Sequence, residues 1–295
     1  QATARAHRIV PWPLGVALAL FGLALAARMF RIGQESFFID EALTRKACLG
    51  DLWTHLRSFE MPPPLYLFLA AGWTRVFGDG HVALRSMSAL GGAAASPLLF
   101  VTLRRMGSSR PACLAAGVIF ALAPAALWYG QQARAYALLM TAVALWIYLL
   151  VRVWQTPSRT AAAFLGFSVF LGFSIHYYFV FPILAGLATL AGFLISRREG
   201  WVPWRSVVAP QVIAMAGWLV YLPLVRAQLS IGNINWTPRP EWPQLFQVYS
   251  EVFLVGPFAD ASPGTRPWGW LILGGIAVGG LWGWFQKNGA GYPES

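Results

Sequence analysis

The sequence predicts an all-α polytopic membrane protein, because it is very hydrophobic, carries few charges and contains long apolar runs. Hydrophobic residues make up 57% of the 295 residues and charged residues 11%, against about 25% charged residues in soluble domains. A soluble protein of this length would need a charged surface that this chain cannot supply. At about 20 residues per membrane-spanning helix, we expect about eight spans in a single transmembrane domain over residues 1–295.

Apolar runs separated by short basic segments predict where the helices lie. The first run, Val10–Ala27, follows Arg5 and Arg8 and is interpreted as a span. A cleaved signal peptide is the alternative, because the run is short and ends in small residues. The stretch Thr160–Ser196 is too long for one span and divides at the polar patch His176–Tyr178. The other predicted spans are Val82–Leu103, Cys113–Trp128, Tyr136–Val151, Val207–Val225 and Trp268–Phe285.

The basic residues between these runs predict the orientation of the chain. With a cytoplasmic N-terminus, the following residues all fall on the cytoplasmic side: Arg104, Arg105, Arg110, Arg152, Arg159, Arg197, Arg198 and Lys287. This orientation requires Pro62–Phe77 to lie at the membrane interface, as expected for a short segment that begins with three prolines. A true second span is the alternative, and it would place Arg104 and Arg105 outside. We expect a multi-pass protein of the inner or plasma membrane.

The net charge of +11 would suggest a nucleic-acid partner for a soluble protein. Here the arginines lie between apolar runs and do not form one polar face, so no nucleic-acid partner is expected. Cys48 and Cys113 fall on opposite sides of the predicted membrane. A disulfide between them is therefore not expected.

The first predicted outer loop, residues 28–81, holds six of the eleven acidic residues, including the adjacent pair Asp40 and Glu41. Ionisable groups beside a membrane are costly and are often functional. A carboxylate at this position could act as a general base. A solvated loop that caps a helix is the alternative.

Two further polar segments are predicted on the outer side. Arg134 lies at the mouth of a predicted helix, where it could anchor the chain at the interface or bind phosphate through its planar guanidinium group. Gln131 and Gln132 provide hydrogen-bond donors and acceptors close by. The second segment contains His176 among aromatic residues, which fits either an interface residue or a ligand-binding residue.

Five short segments, taken in order, carry a resemblance to a known family. They are Asp40–Glu41, Met61–Tyr66, Phe77–Leu90, Trp128–Leu138 and His176–Phe179. Over residues 15–194 the chain resembles glycosyltransferase family 39. This is the dolichyl-phosphate-mannose protein mannosyltransferase-like group, which has the GT-C fold and includes bacterial aminoarabinose transferases.

The resemblance implies a GT-C-like helical bundle with interfacial helices in the first outer loop. It also implies an inverting hexosyl or pentosyl transfer from a polyprenyl-phosphate sugar to an acceptor hydroxyl or phosphate at the extracytoplasmic face. Asp40 and Glu41 would be the catalytic residues, with Asp40 as the base, and Arg134 would bind the phosphate of the lipid. The other residues implied at the donor site are Tyr66, Gln131, Gln132 and Tyr136. Those implied at an acceptor side or a divalent metal site are Glu60, His176 and Tyr177.

The chain departs from the family pattern at three points. Met61 replaces the His or Lys that often precedes the proline pair, and Gln132 replaces the usual Glu. We also expect the chain to lack a C-terminal part that longer members have. Two other functions therefore stay open, a lipid-linked-sugar flippase or transporter and a non-catalytic assembly subunit. Polar groups at the outer helix ends, rather than at the midplane where transporters hold their substrates, favour surface chemistry.

Overall fold

The computed structural model describes residues 13–58, 63–196 and 204–230. About 85% of these residues are helical and none forms a strand. Among them, three helices are long and apolar enough to cross a membrane, and a pair bent by 50° could form a fourth span. The three are His81–Arg105, Tyr136–Gln155 and Arg205–Ser230. The predicted all-α polytopic membrane fold is confirmed.

Thirteen α-helices are found in the described part of the chain. They are α1 (Pro13–Met29), α2 (Ile39–Leu49), α3 (Leu52–Ser58), α4 (Pro64–Phe77), α5 (His81–Ala93), α6 (Ala95–Arg105), α7 (Arg110–Leu122), α8 (Pro124–Gly130), α9 (Tyr136–Gln155), α10 (Arg159–Ile175), α11 (Val180–Ser196), α12 (Trp204–Trp218) and α13 (Leu222–Ser230). Short 3₁₀ helices, Tyr177–Phe179 and Leu219–Tyr221, precede α11 and α13.

Helix α9 lies at the centre of the bundle, between α5–α6 on one side and α10 on the other. Helices α1 and α7 pack on α6, and α12 packs on α10. Trp146 of α9 donates from Nε1 to Oε1 of Gln211 on α12 at 2.9 Å, which satisfies two polar groups inside an apolar core. Gly172 allows the ring of Phe179 to approach α10 closely.

The chain bends between α7 and α8, where Ala123 leaves the helical conformation and Pro124 begins the next helix. The last carbonyl groups of a helix have no partners within it. Arg28, fully buried near the end of α1, donates from Nη1 to the carbonyl oxygen of Ala121 at 3.1 Å and to that of Ala24 at 2.9 Å. The carbonyl of Ala121 lies in the last turn of α7, where the partial negative charge of a helix C-terminus favours a guanidinium group. Nε and Nη2 of Arg28 have no hydrogen-bond partner among the described residues.

The two ends of the bundle differ in charge. Gln155 at the end of α9 donates to the carbonyl oxygen of Arg105 at 2.8 Å, so α6 and α9 end on the same side. This end carries basic residues without acidic ones, namely Arg104, Arg105, Arg110, Arg152 and Arg159, whereas the opposite end carries both signs of charge. All five acidic residues that the structure describes lie between residues 35 and 79, on the elements of the opposite end.

The structure agrees with most of the predicted runs. The stretch 160–196 does divide at His176, where α10 gives way to a 3₁₀ turn and α11. The run predicted to end at Val225 continues as helix to Ser230. Cys48 and Cys113 are buried free thiols, as expected. Helix α4 forms within Pro62–Phe77, but whether it lies at the interface stays a prediction, and Trp268–Phe285 lies outside the described residues.

Gly130, the last residue of α8, packs directly against Arg28. A Cβ atom added at Gly130 would lie 2.7 Å from Cδ of Arg28, a side chain that its two hydrogen bonds hold in place. We expect Gly130→Ala to destabilise the protein by about 1–3 kcal/mol, the usual cost of overpacking. The melting temperature of the purified protein in detergent measures the effect.

Gly72→Ala is the matched control, because Gly72 is exposed within α4 and an added Cβ there meets nothing within 4 Å. Alanine is favoured over glycine inside a helix, so this variant should be at least as stable as the wild type. Equal melting temperatures for the two variants would contradict the packing described for Arg28.

Candidate active site

A buried ion pair joins the first turn of α2 to the middle of α5. The carboxylate of Glu41 accepts from Nε of Arg85 at 2.8 Å and from Nη2 at 2.6 Å, in a bidentate arrangement. Both side chains are almost fully buried, with exposed fractions of 2% and 7%. Two backbone N–H groups complete the shell of Glu41, from Phe38 at 3.0 Å and from Ala133 at 2.8 Å. Every acceptor direction of this carboxylate therefore faces a donor.

Arg85 also fixes the path of the chain between α1 and α2. Its Nη1 donates to the carbonyl oxygens of Ile32 at 2.9 Å and Glu35 at 3.0 Å, and its Nη2 donates to that of Ser36 at 2.9 Å. The guanidinium carbon lies 5.5 Å from the ring centre of Phe37. Arg85 thus holds the whole connecting loop against α5.

The environment of Glu41 keeps it ionised. Burial alone would raise the pKa of its carboxyl group, but the hydrogen bonds from Arg85, Ala133 and Phe38 outweigh burial, so the pKa lies below its usual value. An ionised carboxylate with four donors has no oxygen available to a reacting group. Its chemistry is to hold three segments of the chain together.

Asp40, the residue before Glu41, points the other way. Successive residues of an α-helix are rotated by about 100°, so a buried Glu41 leaves Asp40 on an open side of α2, with its side chain 44% exposed. Oδ2 of Asp40 lies 3.5 Å from Nη2 of Arg134. The Asp40 backbone carbonyl accepts from the hydroxyl of Thr44 at 3.0 Å, which is the regular pattern of a helical Thr.

The turn between α8 and α9 presents Arg134. Gln131 donates from its side chain to the carbonyl oxygen of Phe30 at 2.8 Å, which joins the turn to the end of α1. The backbone N–H of Arg134 donates to the carbonyl oxygen of Gln132 at 2.8 Å, and its own carbonyl accepts from Oγ of Ser88 at 3.1 Å. With its backbone fixed in this way and its side chain 18% exposed, Arg134 can direct its guanidinium group at a ligand beside Asp40.

Aromatic rings line the site beyond Arg134. The ring of Tyr136 lies 6.0 Å from the guanidinium carbon of Arg134, 4.9 Å from the ring of Tyr129 and 5.0 Å from that of His176. The ring of Tyr178 lies 4.7 Å from the ring of His176. These rings are described below as the aromatic wall, made of Tyr129, Tyr136, His176 and Tyr178.

Tyr177 serves to connect elements and does not face the aromatic wall. Its hydroxyl donates to Oε1 of Gln228 at 2.6 Å, and Nε2 of Gln228 donates to the carbonyl oxygen of Leu56 at 3.0 Å. Helix α13 is thereby linked both to the turn after α10 and to α3.

Tyr66 lies close to the turn that carries Arg134. Tyr66 is fully buried, and its hydroxyl interacts electrostatically with Arg134 and with the side chain of Ser88. It packs in the same core cluster as Ala133 and Ala135, which flank Arg134, so contact with a ligand would require it to leave this position. Glu60, suggested for a metal or acceptor side, lies outside the described residues.

Three residues that support the site had no role assigned from the sequence. Arg85 and Ser88 lie within a segment, Phe77–Leu90, that resembles the family, but the sequence does not show that they contact Glu41 and Arg134. Gln228 lies just beyond the predicted span Val207–Val225. The one available signal was Arg85, a basic residue inside the predicted span Val82–Leu103, because such a residue normally has a buried partner.

We expect Glu41→Gln to lower stability strongly, because it leaves the Arg85 charge buried without a partner, at a typical cost of about 3–5 kcal/mol. Arg45→Gln is the control, since it removes the exposed pair of Arg45 with Asp79, and exposed pairs contribute little. Comparable losses of melting temperature in the two variants would contradict the assigned role of Glu41.

The pH dependence of the melting temperature provides a second test of the role of Glu41. The pKa of Glu41 is lowered on folding, so its contribution is complete above the ordinary value of 4.5 and is lost as the pH falls through the folded value below it. The melting temperatures of the wild type and Glu41→Gln should therefore approach each other only as the pH falls through the lowered pKa of Glu41.

A comparison with known families agrees with this architecture. The family model described as dolichyl-phosphate-mannose-protein mannosyltransferase matches residues 61–226, more than half of the chain. The match includes Arg134 and the aromatic wall but begins after Asp40 and Glu41. No curated protein matches the sequence significantly. The chain belongs to the dolichyl-phosphate-mannose-protein mannosyltransferase family, and thus to the glycosyltransferases of the GT-C type.

Proposed function

We propose that the protein transfers a sugar from a polyprenyl-phosphate donor to an acceptor hydroxyl or phosphate at the extracytoplasmic face of the membrane. The observation that carries this proposal is the placement of a half-exposed carboxylate, Asp40, 3.5 Å from the guanidinium group of Arg134. One group can take a proton and the other can bind an anion. Family membership supports a glycosyltransferase with a lipid-linked donor.

The proposed reaction is a single displacement. An acceptor oxygen attacks the anomeric carbon of the sugar while Asp40 takes the proton of the acceptor as general base. The bond from the anomeric carbon to the phosphate oxygen breaks, and the lipid phosphate leaves with the bonding electrons. One displacement inverts the anomeric configuration. Where the acceptor is an ionised phosphate, it carries no proton and Asp40 would only orient it.

Arg134 would stabilise the leaving phosphate. A guanidinium group binds phosphate oxygens bidentately, and positive charge is most effective where negative charge develops in the transition state. In the described structure Arg134 faces Asp40, which is a weak contact at 3.5 Å with a partly exposed carboxylate. A phosphate can replace this contact at little cost, and Asp40 is then released to act on the acceptor.

Glu41 is assigned a positioning role in this reaction. Its four hydrogen bonds reach Arg85, Phe38 and the turn that carries Arg134, so the same carboxylate fixes both α2 and the phosphate-binding turn. Tyr66, buried under that turn, supports it through packing. Gln131 acts in the same way through its bond to Phe30.

The charge difference between the ends of the bundle supports the proposed face. Arginines collect at the end formed by the C-termini of α6 and α9, and the described residues include no acidic side chain there. Cytoplasmic loops are enriched in Lys and Arg. The short connections from α6 to α7 and from α9 to α10 are flanked by arginines, so we assign this end to the cytoplasm, although Arg31, Arg45, Lys46 and Arg75 lie at the other end. Asp40 and Arg134 then face the other side of the membrane, where a lipid carrier rather than a nucleotide would supply the activated sugar.

The flippase and assembly-subunit alternatives receive less support. A flippase would need polar residues near the midplane of its spans, whereas the described acidic residues lie in the 35–79 segment at one end. An inactive subunit would have no reason to keep an open carboxylate beside a half-buried arginine. The likeness to aminoarabinose transferases stays a prediction about the sugar.

We expect Asp40→Asn to reduce kcat by about 10²–10⁴-fold, the usual contribution of a general base to proton transfer. Donor affinity should be unchanged or tighter, because Arg134 loses a competing carboxylate. Transfer of labelled sugar from a polyprenyl-phosphate donor, measured with purified protein, gives both values. Glu35→Gln, at an exposed acidic residue of the same loop, should keep full activity. An unchanged kcat in Asp40→Asn would remove Asp40 from the mechanism.

Arg134→Ala should weaken binding of the donor by about 10–100-fold, which corresponds to the loss of a charge-assisted hydrogen bond of about 1.5–3 kcal/mol. The affinity for polyprenyl phosphate without a sugar should fall equally, because the lost contact is to phosphate. Arg45→Ala is the control, at an exposed arginine of α2 that pairs with Asp79. Wild-type affinity in Arg134→Ala would refute the phosphate assignment.

A further inference from the structure

His176 occupies a defined position at the junction between two helices. It ends α10 and precedes the 3₁₀ turn Tyr177–Phe179, with an extended backbone at φ −157° and ψ 135°. Its side chain lies against the following turn, where Nδ1 accepts a hydrogen bond from the backbone N–H of Tyr178 at 3.0 Å. The imidazole therefore caps the turn in the way that Asn or Asp caps a helix.

This bond fixes the tautomer of the ring. A backbone N–H can only donate, so Nδ1 must keep its lone pair, and the proton of a neutral imidazole is then on Nε2. Rotating the ring by 180° would place a carbon atom against the N–H of Tyr178 and lose the bond. In this conformation His176 offers one N–H donor, at Nε2.

The charged form of His176 is disfavoured. Burial and, to a smaller extent, the charge of Arg134 lower the pKa of His176 to about 4. At neutral pH the ring therefore carries no charge. It can donate a hydrogen bond from Nε2 while Nδ1 continues to accept from Tyr178.

The surroundings show what Nε2 can contact. The imidazole lies 5.0 Å from the ring of Tyr136, and that ring lies 6.0 Å from the guanidinium carbon of Arg134. No described residue accepts a hydrogen bond from Nε2. The aromatic wall thus holds an N–H donor without an acceptor among the described residues, and the charge of Arg134 acts on the same ring. The group that both can bind is an anion.

We infer that Nε2–H of His176 donates to the phosphate of the donor lipid beside Arg134, so that His176 binds phosphate and is not a metal ligand. The inference rests on the proposed function and adds a second phosphate-binding residue to it. A metal ligand would need the lone pair on Nε2, which would move the proton to Nδ1 and break the bond to Tyr178.

Two variants of His176 distinguish the role of Nδ1, which caps the turn, from the role of Nε2, which can donate a hydrogen bond. His176→Asn places an amide oxygen near the position of Nδ1, where it can still cap the turn, but removes the donor at Nε2. His176→Gln extends an amide N–H toward the position of Nε2 and gives up the cap. If His176 binds phosphate, Asn should be the more harmful replacement for ligand binding, and Gln the more harmful one for stability.

The experiment measures the affinity of each purified variant for polyprenyl phosphate, together with its melting temperature. We expect His176→Asn to melt like the wild type and to bind polyprenyl phosphate about tenfold more weakly, the effect of losing one hydrogen bond to a charged group. His176→Gln should bind within about threefold of the wild type. In the transfer assay, His176→Asn should raise KM for the donor and leave kcat nearly unchanged.

Wild-type affinity in His176→Asn would overturn the inference, because only the cap would then matter. Equal loss of activity in both variants, with inhibition of the wild type by a metal chelator, would show a metal ligand instead. A wild type that binds polyprenyl phosphate but transfers no sugar would refute the proposed function. The binding comparison between the variants would still decide the role of His176.

Discussion

The structure depends on the buried ion pair between Glu41 and Arg85. A paired charge this deeply buried is tolerated only when its hydrogen bonds are complete, and here four donors reach the carboxylate while Arg85 also binds three carbonyl groups. The pair therefore holds α2, α5, the loop before α2 and the turn before α9 in one arrangement. Removing either partner would release the two segments that carry Asp40 and Arg134, although neither residue belongs to the pair.

The chemistry proposed for the site follows from this constraint. Because Glu41 is directed inward, Asp40 is directed outward, close to a guanidinium group whose backbone is fixed from two sides. In the protein without ligand, His176 adds no positive charge beside Arg134, since burial and Arg134 lower the pKa of His176. A single positive charge with a neutral donor beside it stabilises a leaving phosphate and still lets the product depart.

The sequence predicted the helices well and the contacts poorly. Apolar runs and basic loops predicted α1, α5–α6, α7–α8, α9, α10 and α12 because membrane spans have a strong local signal. The different roles of Asp40 and Glu41 could not be predicted, since two adjacent carboxylates look alike until Arg85, 44 residues away, selects one. Tyr66 was expected at the donor site by resemblance, but the fold buries it. Such contacts depend on how helices pack against each other, and a local sequence pattern does not predict this packing.

The most direct measurement is an experimental structure of the Asp40→Asn protein with a polyprenyl-phosphate sugar bound. The account predicts phosphate oxygens at about 2.7–2.9 Å from the guanidinium nitrogens of Arg134, with the anomeric carbon facing residue 40 and Glu41 still paired with Arg85. A donor phosphate bound at the opposite, arginine-rich end of the bundle, with the aromatic wall empty, would contradict it.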